Sequence, residues 1–239
     1  MDAHALLWEH QTAPRRGPRP TLTLTAIAHA GIEIADADGL AAVTMQRVAE
    51  HVGVTKMALY RYVPGKDELV ALMTDIGIGE PPDLTALPGD WRTRLDAWTR
   101  AMFDRFARHP WSLEATVGVR PVGPHEIGWL ERAVAALADT GLNGGEMLDV
   151  AAVLAGHARA MAVQSAATDA PEQVLTAAFA EVLRADETRF PALRAALVSA
   201  AEHDSQDKAL DFGLARILDG VEQFVTARGV SRATPGTRR

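Results

Sequence analysis

The feature that most constrains this chain is the run from Thr44 to Leu69, TMQRVAEHVGVTKMALYRYVPGKDEL. Met45, Val48, Ala49 and Val52 recur at helical spacing and give one apolar stripe. Thr44 is placed to cap this helix by accepting a bond from a first-turn N–H. Gly53 falls where the chain must turn sharply, and glycine takes positive φ without steric cost. Thr55 is placed to cap a second short helix, with Leu59 on its inner side and Val54 just before its start. Pro64-Gly65 ends that helix and Lys66-Asp67-Glu68 begins another. Two short helices about a tight turn make a helix-turn-helix, which lays its second helix in the DNA major groove. Lys56, Met57, Ala58 and Arg61 then face outward. Arg61 suits a guanine edge or a phosphate. Thr44, Thr55, Tyr60, Tyr62 and Lys66 are donors suited to phosphate oxygens, which fix register without reading sequence. The bland alternative is an ordinary helix pair with surface charges, because short patterns of this kind recur in all-α proteins.

The chain of 239 residues has room for one small DNA-binding domain and one larger domain. Its composition is 48% hydrophobic, with Ala and Leu dominant and few aromatics, which favours helices over sheets. The net charge of −7 argues against a protein that coats nucleic acid generally. It leaves a sequence-specific reader open, because the local balance from Thr44 to Lys66 is Arg47, Lys56, Arg61 and Lys66 against Glu50. The absence of cysteine excludes disulfides, thiolate metal sites and cysteine nucleophiles. No apolar run approaches the ~20 residues that span a bilayer. The start of the chain lacks a signal peptide's order of charges. A soluble, cytoplasmic protein with no membrane partner is expected.

Residues 21–69 resemble the DNA-binding domain of the tetracycline-repressor (TetR) family of transcriptional regulators. The matching pieces are a first helix around Thr25–Asp36, Asp38-Gly39-Leu40, Thr44-Met45-Gln46-Arg47-Val48-Ala49, Gly53-Val54-Thr55, Leu59-Tyr60-Arg61-Tyr62-Val63 and Lys66-Asp67-Glu68-Leu69. Looser likeness to the family's C-terminal regulatory domain is carried by His109-Pro110-Trp111, Gly141-Leu142, Phe212-Gly213-Leu214 and Ile217-Leu218-Asp219-Gly220-Val221. The resemblance implies an all-α fold: a three-helix helix-turn-helix domain and a larger helical domain for ligand binding and dimerisation. By position it implies base-reading sites at Gln46, Lys56, Met57, Ala58 and Arg61, and phosphate contacts at Thr44, Thr55, Tyr60, Tyr62 and Lys66. It also implies a homodimer on double-stranded, palindromic operator DNA. The four-helix interface would come from residues 146–166 and 208–227, with Leu154, Ala158, Leu214, Leu218 and Val221 in it. The alternative is that these stripes complete the core of the single chain.

The expected domains are a loose basic arm (1–20), the reading head (21–68), the helical body (69–228) and a basic tail (229–239). A helix over about 67–77 connects head to body. Trp91, Leu95, Trp98, Met102 and Phe106 define one face of a helix that ends near His109-Pro110. Gly118 to Pro124 is a loop. Further helices are expected over 126–139, 146–168 and 171–185, the last opening at a favourable proline position. A final stripe runs from Leu210 to Val225. His29 and Glu33 share helical spacing and are expected to pair at the surface.

The body is expected to hold a small-molecule effector, with Trp98, Met102, Phe106, Trp111, Trp129, His157, Met161 and Gln164 as candidate lining. An aromatic and methionine wall with a few polar groups suits a planar or apolar ligand. The same residues at helical spacing also make an ordinary core, and His157 on an apolar helix needs a partner of some kind. The His and carboxylate groups of a tetracycline–magnesium site are not matched.

No catalytic motif, metal-ligand pattern or cofactor fingerprint is present. There is no His-Glu-x-x-His, P-loop, Gly-x-Ser-x-Gly or Gly-x-Gly-x-x-Gly. The reading is therefore a non-enzymatic, ligand-responsive DNA-binding regulator, most simply a repressor released by its effector, with no cofactor. The alternatives are an effector-independent DNA-binding regulator and an unrecognised all-α enzyme.

Overall fold

The computed structural model describes residues 3–8, 22–166, 174, 176–179, 189–203 and 208–233. Among these, every regular element is a helix. The helices are α1 (Ala3–Trp8), α2 (Leu24–Asp38), α3 (Met45–His51), α4 (Lys56–Leu59), α5 (Lys66–Ile78) and α6 (Trp91–Arg108). They continue as α7 (Trp111–Ala115), α8 (Pro124–Ala136), α9 (Gly144–Ser165), α10 (Pro191–Glu202) and α11 (Ala209–Ala233). No helix of the described residues is long and apolar enough to cross a membrane.

Two apolar cores organise the chain. The first joins α1 to α5 around Ile27, Val48, Leu59, Leu69 and Met73, all buried. The second joins α6, α8, α9 and α11 around Leu95, Trp98, Trp129, Leu154 and Leu214. Helix α5 belongs to the first core through Leu69, Leu72 and Met73, while Ile78 at its end packs on the second. Trp111 of α7 reaches the other way and is buried in the head's core. Head and body are therefore interlocked, Ile78 reaching into the body and Trp111 and Ala115 into the head.

Several sequence expectations change. Residues 3–8 are not part of a loose arm: they form a helix against α5, with Leu6 and Leu7 only 1% and 3% exposed. Trp8 Nε1 donates to the Val122 carbonyl at 3.1 Å, so this helix touches both head and body. The physical reason is the Ala-Leu-Leu-Trp patch, which is too apolar to stay in water once a groove beside α5 is available. The remainder of the arm, residues 9–20, lies outside the described residues. So does most of the helix expected over 171–185. The basic tail begins later than expected, because α11 runs to Ala233. Glu33 pairs with His51 of α3 at 2.8 Å and not with His29.

The largest correction concerns the stripe expected at the dimer interface. Leu154, Ala158 and Leu214 are fully buried within the single chain, and Leu218 is 2% exposed. Val221 is half-buried against the same core. Leu154, Ala158, Leu214 and Leu218 close α9 and α11 onto the core, so these four are not free to meet a second copy. A helix with apolar residues on more than one side does not reveal which side its own chain will use.

Two substitutions separate these assignments from the earlier ones. Leu6→Ala should lower the unfolding free energy by about 2–4 kcal/mol, because it leaves a cavity in the head's core. A free arm would give no change in a urea melt. Leu218→Asp should abolish the cooperative thermal transition, because it buries an unpaired carboxylate. A folded monomer with a native melt would contradict that placement.

Candidate functional site

The reading head is built by local capping. Thr44 Oγ1 accepts from Arg47 N at 3.1 Å and starts α3. Gly53 adopts φ +72, where a side chain would be strained, and turns the chain. Thr55 Oγ1 accepts from Ala58 N at 3.2 Å and starts α4. Leu59 and Val63 anchor α4 to the core. This leaves Thr55, Lys56, Met57 and Arg61 on the outside, with Met57 74% exposed.

The head's candidate residues fall into three groups. Gln46, Lys56, Met57 and Arg61 are exposed on α3 and on or just after α4. Gln46 donates to Glu50 at 2.5 Å, and the Lys56 ammonium lies 5.9 Å from the Tyr60 ring centroid. Thr44, Thr55, Tyr60 and Lys66 are exposed around them, and the two threonine hydroxyls keep a proton to donate even while capping. Ala58 and Tyr62 are half-buried, and Tyr62 packs its ring on the core. Lys66 Nζ also reaches the Leu40 carbonyl at 3.5 Å. Arg47, cationic in the sequence, is ion-paired with Asp38.

The body contains a cavity of about 420 Å³ between α6, α8 and α9. Trp98, Met102, Phe106 and Trp129 line it, as expected from their types. The other four candidates do not. Trp111 sits in the head's core and donates from Nε1 to Asp36 at 2.7 Å. His157 pairs with the Leu210 carbonyl at 3.0 Å, which ties α9 to α11 and supplies the partner its burial requires. Met161 is half-buried and Gln164 is exposed, both away from the cavity. Ile78 of α5, Leu130, Thr116, Arg120, Glu126 and Arg159 are lining residues that sequence reasoning missed. The charged ones had no signal in the sequence: Arg120 stands in a Gly/Pro loop, and Arg159 interrupts a helix that is otherwise nearly apolar.

The polar lining is firmly held. Arg120 makes a two-pronged pair with Glu126, one arm at 2.7 Å. Arg159 donates to Thr116 Oγ1 at 2.5 Å and to the Leu113 carbonyl, so it grips the end of α7. Trp98 Nε1 donates to the Trp129 carbonyl and Trp129 Nε1 to the Gly79 carbonyl, each at 2.9 Å. The cavity wall is thus bonded to the end of α5.

Asp75 is the central joint. It lies on α5, is 2% exposed, and accepts from His125 N at 2.9 Å and Glu126 N at 3.2 Å. Those N–H groups are the open donors of the first turn of α8, where a negative charge is favoured. His125 Nδ1 lies 3.0 Å from the Asp75 carboxylate, and this bond and charge hold the imidazole above its ordinary range despite partial burial. Gly123 permits the approach, since a Cβ there would overlap the Asp75 carboxylate. A second joint runs from Asp36 of α2 to His109 Nδ1 at 2.9 Å and to Trp111 Nε1. Among the described residues no group of His and carboxylate side chains is arranged to hold a metal ion.

Comparison with known proteins accords with this architecture. Residues 27–73 match the family model for bacterial regulatory proteins of the tetR family, and residues 82–225 match the tetracyclin repressor-like C-terminal domain. The HTH-type transcriptional repressor DrrR1 of Streptomyces coeruleorubidus is 34% identical over 232 residues, covering 93% of this chain and 86% of that protein. Apo ActR of Streptomyces coelicolor shares the fold with a TM-score of 0.74 at 24% identity, covering 88% of this chain and all of that one. ActR in complex with (S)-DNPA aligns with a TM-score of 0.70 at 25% identity, covering 85% of this chain and 98% of that one. Proteins of this family bind operator DNA, act as dimers and bind small-molecule ligands; they are transcriptional regulators and not enzymes. The chain belongs to the TetR family of ligand-responsive, DNA-binding transcriptional repressors.

Proposed function

We propose that two copies of this chain hold a palindromic operator in the cytoplasm and let go when a small molecule fills the cavity between α6, α8 and α9. The observation that carries this reading is that the cavity wall and the reading head share α5. Ile78 lines the cavity, Gly79 is bonded to Trp129, and Asp75 caps the helix that carries Glu126. At its other end α5 is buried in the head's core through Leu69, Leu72 and Met73. A ligand that displaces Trp129 or the Arg120–Glu126 pair therefore moves the last turn of α5, and the head moves with it. That ActR is solved in complex with (S)-DNPA supports a small-molecule effector for this chain. A coupling of ~1–3 kcal/mol would weaken operator binding about 5- to 150-fold, enough for a switch.

In this reading Gln46, Lys56, Met57, Ala58 and Arg61 face base edges. Thr44, Thr55, Tyr60, Tyr62 and Lys66 hold phosphates. The dimer forms on the exposed flank of α9 and α11, away from the monomer core. Val153 and Val163 are 53% and 52% exposed there, flanked by Gly156 and Ala160, with Phe212 and Phe224 on α11 also exposed. Small residues along one side let two helices approach closely, and burying these side chains supplies the driving force.

Operator titrations by fluorescence anisotropy, using the intergenic DNA beside the protein's own gene, test the head. Arg61→Ala should cost about 1–3 kcal/mol of specific binding while leaving binding to random DNA nearly unchanged. An equal loss on both DNAs would make Arg61 a phosphate contact. Val153→Glu should give a folded monomer by light scattering, with the preference for two half-sites lost; an intact dimer would move the interface elsewhere.

The α5–α8 joint predicts a pH dependence. Because His125 titrates above its unfolded value of ~6.5, the stabilisation it gives is fully present below that pH. It is lost as pH rises through the folded value. Melting temperature should therefore fall from slightly acid to slightly alkaline pH, and His125→Gln should flatten that part of the profile. Parallel profiles for the two proteins would show that the joint does not titrate.

A further inference from the structure

The cavity is apolar and aromatic over most of its wall, yet two guanidinium groups line it. Arg120 is matched by Glu126. Arg159 is half-buried, and its partners are the Thr116 hydroxyl, the Leu113 carbonyl and the face of Phe106, 5.9 Å from the ring centroid. All three are neutral, so among the described residues no carboxylate is in ion-pair contact with Arg159, and the cavity's own Glu126 is taken up by Arg120. A cation in a largely apolar cavity with no counter-ion has most to gain from an anion, because attraction there is weakly screened and a guanidinium offers a two-pronged fit to a carboxylate. The flat walls beside it, Trp98, Phe106 and Trp129, suit fused or substituted rings.

We infer that the effector of this repressor is a planar aromatic acid, with its carboxylate on Arg159 and its rings among Trp98, Phe106 and Trp129. The inference rests on taking this cavity as the effector site. The same residue explains how the acid is sensed. Leu113 and Thr116 bracket the last turn of α7, and Trp111 at its start holds Asp36 of the head. An anion that takes the Arg159 donors removes them from α7, which slackens the strut from α9 to the head. A neutral planar ligand fills the same space and leaves those bonds in place. The acid group is thus the determinant of affinity, and it adds a second route to the head, through α7, beside the one through α5.

The test compares anthraquinone-2-carboxylate with its methyl ester by isothermal titration calorimetry on the full chain, without DNA, near neutral pH. The acid should bind about tenfold more tightly or better. Arg159→Gln should erase that preference. Arg159→Lys keeps the charge without the planar fork and should keep part of it, which serves if the Gln variant does not fold. Equal binding of acid and ester, or binding of neither, overturns the inference. A preference that survives Arg159→Gln overturns the assignment to Arg159. Operator anisotropy on the same samples separates the two readings. Intact operator binding without an acid preference removes this inference alone. A chain that ignores the operator but prefers the acid through Arg159 removes the repressor reading and leaves the acid site standing.

Discussion

The buried Asp75 carboxylate at the first turn of α8 is the interaction on which the two-domain arrangement depends. A charge this deep is tolerable only if its oxygens are paired. Here the backbone N–H groups of His125 and Glu126 and the His125 ring pair them. Because the carboxylate is on α5 and the donors are on α8, satisfying one buried charge fixes the angle between the head's last helix and the body. Replacing it with an apolar pair would hold the helices together but would not set their register.

The second joint also sets a carboxylate of the head against donors of the body, but Asp36 is exposed and meets the side chains of His109 and Trp111. Both joints are polar, local and directional, whereas the two cores on either side are apolar and closely packed. That division suits a switch. Cores resist gradual deformation, and a few hydrogen bonds between them can be exchanged at a modest free-energy cost. The docked α1 adds a third tie, with Leu6 and Leu7 in the head's core and the Trp8 indole on the carbonyl of Val122, in the loop that carries Arg120. The cavity and the head are therefore connected through α5, through α7 and across the loop before α8.

What was legible in the sequence was mostly what is set within a few residues. Thr44 and Thr55 cap the helices that follow them, Gly53 turns at positive φ, and Leu59 anchors the second helix. The stepping of Trp98, Met102 and Phe106 placed them together on one inner face, and the cavity opens on that face. What was not legible depends on partners far away in the chain. Nothing near Asp75 indicates that it will cap a helix fifty residues on, and nothing near Trp111 indicates that its indole will cross to the head. Arg120 and Arg159 look like solvated charges until the fold closes around them. The start of the chain is illegible for a related reason: a six-residue helix has little propensity of its own, and it forms in the groove beside α5.

The stripe on α9 shows why apolar pattern alone does not separate a core from an interface. Ala151, Leu154, Ala158 and Ala162 face the chain's own core, and Val153, Gly156, Ala160 and Val163 lie on the opposite, open side. Both sets have helical spacing, so the sequence contains two equally good stripes. Volume decides between them. The set that includes Leu154 meets Leu214 and Leu218 of α11 in one buried cluster, which leaves the valine and small-residue flank outside. Arg159 stands between the two faces, beside the cavity. One helix thus borders the core, the cavity and an open flank. A displacement of α9 at the cavity would reach that open flank as directly as a displacement of α5 would reach the head, so in the proposed dimer the spacing of two reading heads would depend on both helices at once.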